Sequence, residues 1–143
     1  MSDIDIVNEW LHIAYDDYDS AKFLYDNKVP RPFEIICYHC QQSAEKTLKA
    51  FICAQNVDIP KSHEVKRICI QCTEYDESFM ILFDDCLELE VYATETRYPL
   101  RIEIDDEHAK RALNQALKIY EFTLNKINQL YVNNHDEDTQ QEE

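Results

Sequence analysis

Cys37-Tyr38-His39-Cys40-Gln41-Gln42-Ser43-Ala44-Glu45-Lys46-Thr47-Leu48-Lys49-Ala50 carries two stripes at helical spacing. Cys37, Cys40, Ala44, Leu48 and the following Phe51 share one face, while His39, Gln42, Lys46 and Lys49 share another. One face suits burial and the other suits chemistry. A helix with both, in the middle of a chain, is the element around which neighbours pack.

The rest of the composition agrees with a helical protein. The chain has 143 residues and no glycine. Glycine supplies the positive φ angles that hairpins, bulges and phosphate-cradling loops use, so the phosphate-binding loop and the dinucleotide fingerprint are excluded. Helices joined by proline- and asparagine-containing turns are favoured instead. The length fits one core.

Fourteen basic against 29 acidic side chains give a formal net charge of -15, which repels polyanions at long range and disfavours nonspecific nucleic-acid binding. The N-terminus is acidic and no long uncharged apolar run follows it, so neither a signal peptide nor a membrane association is expected and the cytoplasm is the expected location.

Six cysteines require their own reading. Cys37/Cys40 and Cys69/Cys72 each have C-x-x-C spacing, which alone suggests a four-thiolate zinc site or a redox pair. Both pairs, however, lie on the apolar face of helix-periodic segments, where cysteine behaves as a small hydrophobe. No metal or cofactor is expected.

Along the chain, Trp10, Ala14, Tyr18, Ala21 and Tyr25 mark a first amphipathic helix over about Ile6–Asn27. Pro30 and Pro32 break it, and Pro32 opens a second helix over about Phe33–Ala54. Ser62 is placed to cap a short third helix with His63 in its first turn. Phe79, Leu82, Phe83, Cys86, Leu89 and Ala93 predict a fourth helix over about Glu77–Thr96, ended by Tyr98-Pro99. Leu100, Ile102 and Ile104 alternate with charged residues in an extended connector. Asp105/Asp106 then open a fifth helix whose seam, from Ala109 to Leu130, is regular enough to demand a long helical neighbour. The domain is expected to cover 1–132, and the acidic tail 133–143 to lack fixed structure.

A tyrosine-rich first helix, Pro32 before His39-x-x-Gln42-x-x-Glu45-Lys46-x-x-Lys49-Ala50, Ser62-His63 before a short helix, Arg97-Tyr98-Pro99, and a final alanine-seamed helix occur in this order. Over about residues 5 to 131 the arrangement resembles the HEPN domain family. The resemblance implies an all-α, up-and-down bundle of about four long helices plus one short one, often paired as a two-fold dimer. The family includes RNA-cleaving toxins of toxin–antitoxin systems, partners of minimal nucleotidyltransferases, and noncatalytic binding modules.

The family's ribonucleases share an Arg-x4–6-His motif. Metal-independent RNA cleavage needs a group titrating near neutrality to move the 2′-hydroxyl proton and a fixed cation beside the phosphate. Arg101 and His108 have the spacing, with six residues between them. Asp105, Asp106 and Glu107 crowd the histidine, which works against a general base and against RNA. Arg97-Tyr98-Pro99 reads either as a helix end or as an arginine offered to the groove beside His39 and Lys46.

Three functions follow. The first is a dimeric binding module that takes a nucleotide or works with a nucleotidyltransferase, using His39, Gln42, Lys46, Lys49, Arg97 and Tyr98. The second is an endoribonuclease using Arg101 and His108, or Arg97 with His39. The third is a noncatalytic dimeric scaffold. Net acidity and the crowded histidine favour the first and third.

Overall fold

Helix α2, Phe33–Cys53, is enclosed by its neighbours. From Cys40 to Ile52 only Gln42 and Lys46 escape full burial. The computed structural model describes residues 3–93 and 103–141, with side chains to residue 133. Within them the order is α1 (Asp3–Asn27), α2, α3 (Val65–Thr73), a 3₁₀ turn (Glu77–Leu82), α4 (Phe83–Glu90), a second 3₁₀ turn (Val91–Ala93) and α5 (Asp106–Gln141). All the regular structure among the described residues is helical.

α2 packs most extensively on α1, then on α5 and α3. Small buried residues line these contacts: Ala14 and Ala21 on α1, Ala44 and Ala50 on α2, Ala112 and Ala116 on α5. Small side chains at a crossing let helix axes come close. The long-helix neighbour demanded by the α5 seam is therefore α2, with α1 adding a smaller contact in which the Tyr15 and Tyr120 rings stand 5.3 Å apart. Phe51, Phe79 and Phe122 meet in sequence, tilted at 4.2 Å and then edge-to-face at 5.1 Å, joining α2, the first 3₁₀ turn and α5.

Both C-x-x-C pairs are part of this core. Cys37, Cys40, Cys69 and Cys72 are all fully buried, and the Cys72 thiol donates to the Leu48 carbonyl at 3.7 Å. Burial pushes the Cys37 thiol up to about 12 and Cys72 higher still, as expected where an apolar environment penalises the thiolate.

Three local expectations are corrected. The single fourth helix is a 3₁₀ turn, a short α-helix and a second 3₁₀ turn. Asp76 explains the first change, because its carboxylate accepts from the Ser78 N–H at 2.9 Å and the Ser78 hydroxyl at 2.6 Å, fixing a tight first turn. α3 begins at Val65, not at a Ser62 cap: Ser62 Oγ accepts from the Glu64 N–H within the preceding loop. His63 consequently lies outside the helix. α5 runs as a helix from Asp106 to Gln141.

One staple fixes where α5 starts. The Tyr25 hydroxyl donates to Asp106 Oδ1 at 2.8 Å, and Arg31 lies 3.5 Å from the same oxygen while stacking 4.2 Å over the Tyr25 ring. The end of α1, the following loop and the start of α5 are thus tied at one point.

Candidate functional site

The stripe His39, Gln42, Lys46 and Lys49 runs along α2 as the sequence predicts, but it is divided by depth. His39 and Lys46 are partly exposed and meet Asp17 of α1: Lys46 Nζ lies 2.6 Å from Asp17 Oδ2, and His39 Nδ1 3.3 Å from Oδ1. Lys49 is 6% exposed and pairs with Glu45, itself 5% exposed, at 3.2 Å. His63 Nδ1 reaches the same Glu45 oxygen at 3.1 Å from the loop before α3. The other Glu45 oxygen is buried without a partner. Gln42 donates to the side chain of the fully buried Gln41, 2.8 Å away.

The two lysines of the stripe are therefore each engaged by a carboxylate of the chain itself, Lys46 by Asp17 and Lys49 by Glu45, and each carboxylate also meets a histidine ring. Such pairing locks α1, α2 and the α2–α3 loop together, and it lowers the positive potential that a phosphate would meet.

A second polar centre lies at the start of α5. His108 N–H donates to Asp105 Oδ1 at 3.1 Å, and the ring Nδ1 lies 2.7 Å from the same oxygen. The backbone hydrogen bond from His108, then the one from its ring, hold the Asp105 carboxyl below the usual carboxylate range. His108, Arg111, Gln115, Tyr92, Val91 and Glu88 line a cavity of about 240 Å³. Gln115 donates to Glu88 across it. Tyr92 is bound to the Cys37 thiol, and burial raises its hydroxyl pKa. Arg111 makes no ion pair among the described residues and is exposed.

Arg97, Tyr98 and Arg101 lie outside the described residues. The arginine that the described residues bring beside His108 is Arg111, which the sequence reading did not single out although spacing of three places it on the face of His108. Asp17 was also missed as a partner, whereas the Glu45–Lys49 pair is the one that i,i+4 spacing predicts. Lys46 offered a clue: no acid stands three or four residues from it, so its counter-charge had to come from another element.

The HEPN domain profile matches residues 7–127. Among solved structures, TT1696 from Thermus thermophilus superimposes with a TM-score of 0.75 at 23% identity, covering 84% of this chain and 97% of that one. ST0689, described as an archaeal HEPN homologue, superimposes with a TM-score of 0.69 at 20% identity, covering 85% of this chain and 97% of that one. No curated protein sequence matches the chain.

Proposed function

Because the chain belongs to the HEPN domain family, we propose that it is a small helical interaction module, paired with a second copy of itself and working with a separately encoded protein. A minimal nucleotidyltransferase is the partner class that the family implies. The observation carrying this reading is the internal neutralisation of the α2 stripe, where Asp17 holds His39 and Lys46 and Glu45 holds Lys49 and His63. A stripe used in this way fixes a surface for a partner and does not reserve cations for RNA.

The test is direct. Purified chain should leave RNA intact without added metal at high protein concentration, and a size measurement should return a dimer. Cleavage lost in His108→Ala would replace the module with a nuclease, and a strict monomer would remove the pairing. Nucleotide binding at a groove including Arg97 and Tyr98 is the finer form of the module; it predicts a rise in melting temperature with nucleotide that Arg97→Ala weakens. An unchanged curve at saturating nucleotide would remove that form alone.

The nuclease reading has one observation in its favour: His108, oriented by Asp105, shares a cavity with Arg111. In that reading His108 takes the 2′-hydroxyl proton and Arg111 stands by the phosphate. Loss of cleavage in Arg111→Ala but not Arg101→Ala would assign the cation.

A further inference from the structure

One flank of α1 carries an apolar strip in the turns that precede Asp17. Ile6, Trp10 and Ile13 recur at steps of four and three and, with Glu9, line an open groove of about 220 Å³. Ile13 is 41% exposed. Trp10 packs one part of its ring on the core and is only partly buried. Tryptophan is among the residue types enriched where protein contacts carry most of their binding energy.

The border of this groove is acidic. Asp5, Glu9 and Asp16 are exposed along the adjoining line of α1, although Asp16 also holds His12 at 3.3 Å. From Asp3 to Ala21 the helix has Asp3, Asp5, Glu9, Asp16, Asp17 and Asp19 and neither lysine nor arginine. A second copy of the chain fits poorly here. A two-fold contact sets a surface against itself, so this border would meet its own carboxylates. An extended strand fits no better, because the α1 backbone groups are used within the helix and offer no edge for pairing.

We infer that the Ile6–Trp10–Ile13 groove docks a basic amphipathic helix of a partner protein, with apolar anchors at i, i+3, i+4 and i+7 in the groove and lysine or arginine against Asp5, Glu9 and Asp16. This deepens the interaction-module reading and rests on it, by giving the partner's contact segment its chemistry. The apolar anchors supply the affinity that surface charge alone does not, and the carboxylate border supplies orientation and rejects acidic segments.

Trp10 is the only tryptophan in the chain, so its emission reports on the groove. The full chain is titrated with three synthetic peptides: leucine at the helix-face spacing with lysine elsewhere, the same pattern with glutamate replacing lysine, and a scramble of the first. The lysine peptide should saturate and shift Trp10 emission to the blue; the glutamate peptide should give no change, and the scramble should bind at least about tenfold more weakly. With a labelled lysine peptide, Ile13→Ser and Trp10→Ala should each weaken binding about tenfold or more. Glu9→Lys, an exposed change with little risk to folding, should weaken it as well, and Ile81→Ser on the first 3₁₀ turn should not. Equal binding of the scramble, or unaltered binding by Ile13→Ser and Glu9→Lys, overturns the proposal. So does a dimer that Ile13→Ser dissociates, which would make the second copy the occupant. A silent titration with intact RNA removes the groove alone; RNA cleavage removes the module and leaves a saturable titration standing.

Discussion

Lys46 of α2 and His39, about two helical turns before it, share a single carboxylate on α1, Asp17, whose two oxygens lie 2.6 Å from Lys46 Nζ and 3.3 Å from His39 Nδ1. Asp17 is therefore the point at which the two most extensively packed helices are held in register. Asp17→Ala should destabilise the fold by about 1–2 kcal/mol, the lower part of the range for hydrogen bonds to charged groups because all three side chains keep some solvent. Urea unfolding measures this as a lower midpoint at unchanged slope. A double-mutant cycle with Lys46→Ala should return a coupling well above zero; additive losses would mean that the pair is incidental.

Glu45 and Lys49 make the opposite kind of pair, almost wholly removed from water. Lys49→Met should cost about 3 kcal/mol, because it leaves a buried carboxylate with one oxygen unpartnered and the other met only by the exposed His63. The combined Glu45→Leu/Lys49→Met variant should recover most of that loss, since a packed apolar pair of similar volume needs no desolvation. Thermal unfolding of the three proteins distinguishes a buried ion pair from ordinary side-chain packing.

Acid should weaken the contact between the first 3₁₀ turn and α5. Burial pushes the Asp76 carboxyl up, but the Ser78 hydroxyl and N–H and the Lys126 ammonium, 3.2 Å from Oδ2, outweigh it and hold the group below the usual range. A carboxyl that binds its proton less readily when folded contributes stability that is fully present above its unfolded value, roughly 3.9, and lost as the pH falls through its folded value. Asp76→Ala should thus be about 1 kcal/mol less stable than the natural chain near neutrality. The gap should close in strong acid, as followed by denaturant midpoints across pH.

Thiol labelling should divide the cysteines by depth. Cys37, Cys40, Cys69, Cys72 and Cys86 are buried and Cys53 is partly exposed. Burial raises Cys37 to about 12, leaving little thiolate at neutral pH. A short pulse of alkylating reagent on the native chain, read by peptide mass spectrometry, should modify Cys53 first. The other five should react only with denaturant present. Rapid native labelling of Cys69 or Cys72 would show that the second C-x-x-C pair is not core.

Helical periodicity carried the fold because each long helix keeps one apolar face, and Ala14, Leu48 and Ala116 are buried where their spacing placed them. It failed at Glu77–Ala93: Phe79, Leu82, Cys86 and Leu89 are buried as their spacing placed them, but Ala93 is only half-buried where Tyr92 is buried, and the backbone tightens into 3₁₀ turns, the first through a side-chain cap that spacing does not encode. On α2 the stripe and its local Glu45–Lys49 pair were legible from spacing, but the Asp17 pairing was not, since Asp17 and Lys46 are 29 positions apart and only the packing of α1 on α2 brings them together. Arg111 was hidden for a different reason: it stands only three residues from His108, but nothing local separates a cavity-lining arginine from one on an exposed helix face.

The enclosure of α2 has a kinetic side. Local opening of a helix requires somewhere for its residues to go, and between Cys40 and Ile52 almost every direction is filled by α1, α3 or α5. Its amides can meet solvent only when those neighbours separate, so their exchange with deuterium should be governed by global unfolding, while the ends of α1 and α5 exchange through fraying. The stretch from Cys37 to Ala50 would then be the slowest clock in the molecule, and the last part of the fold to register any loosening elsewhere.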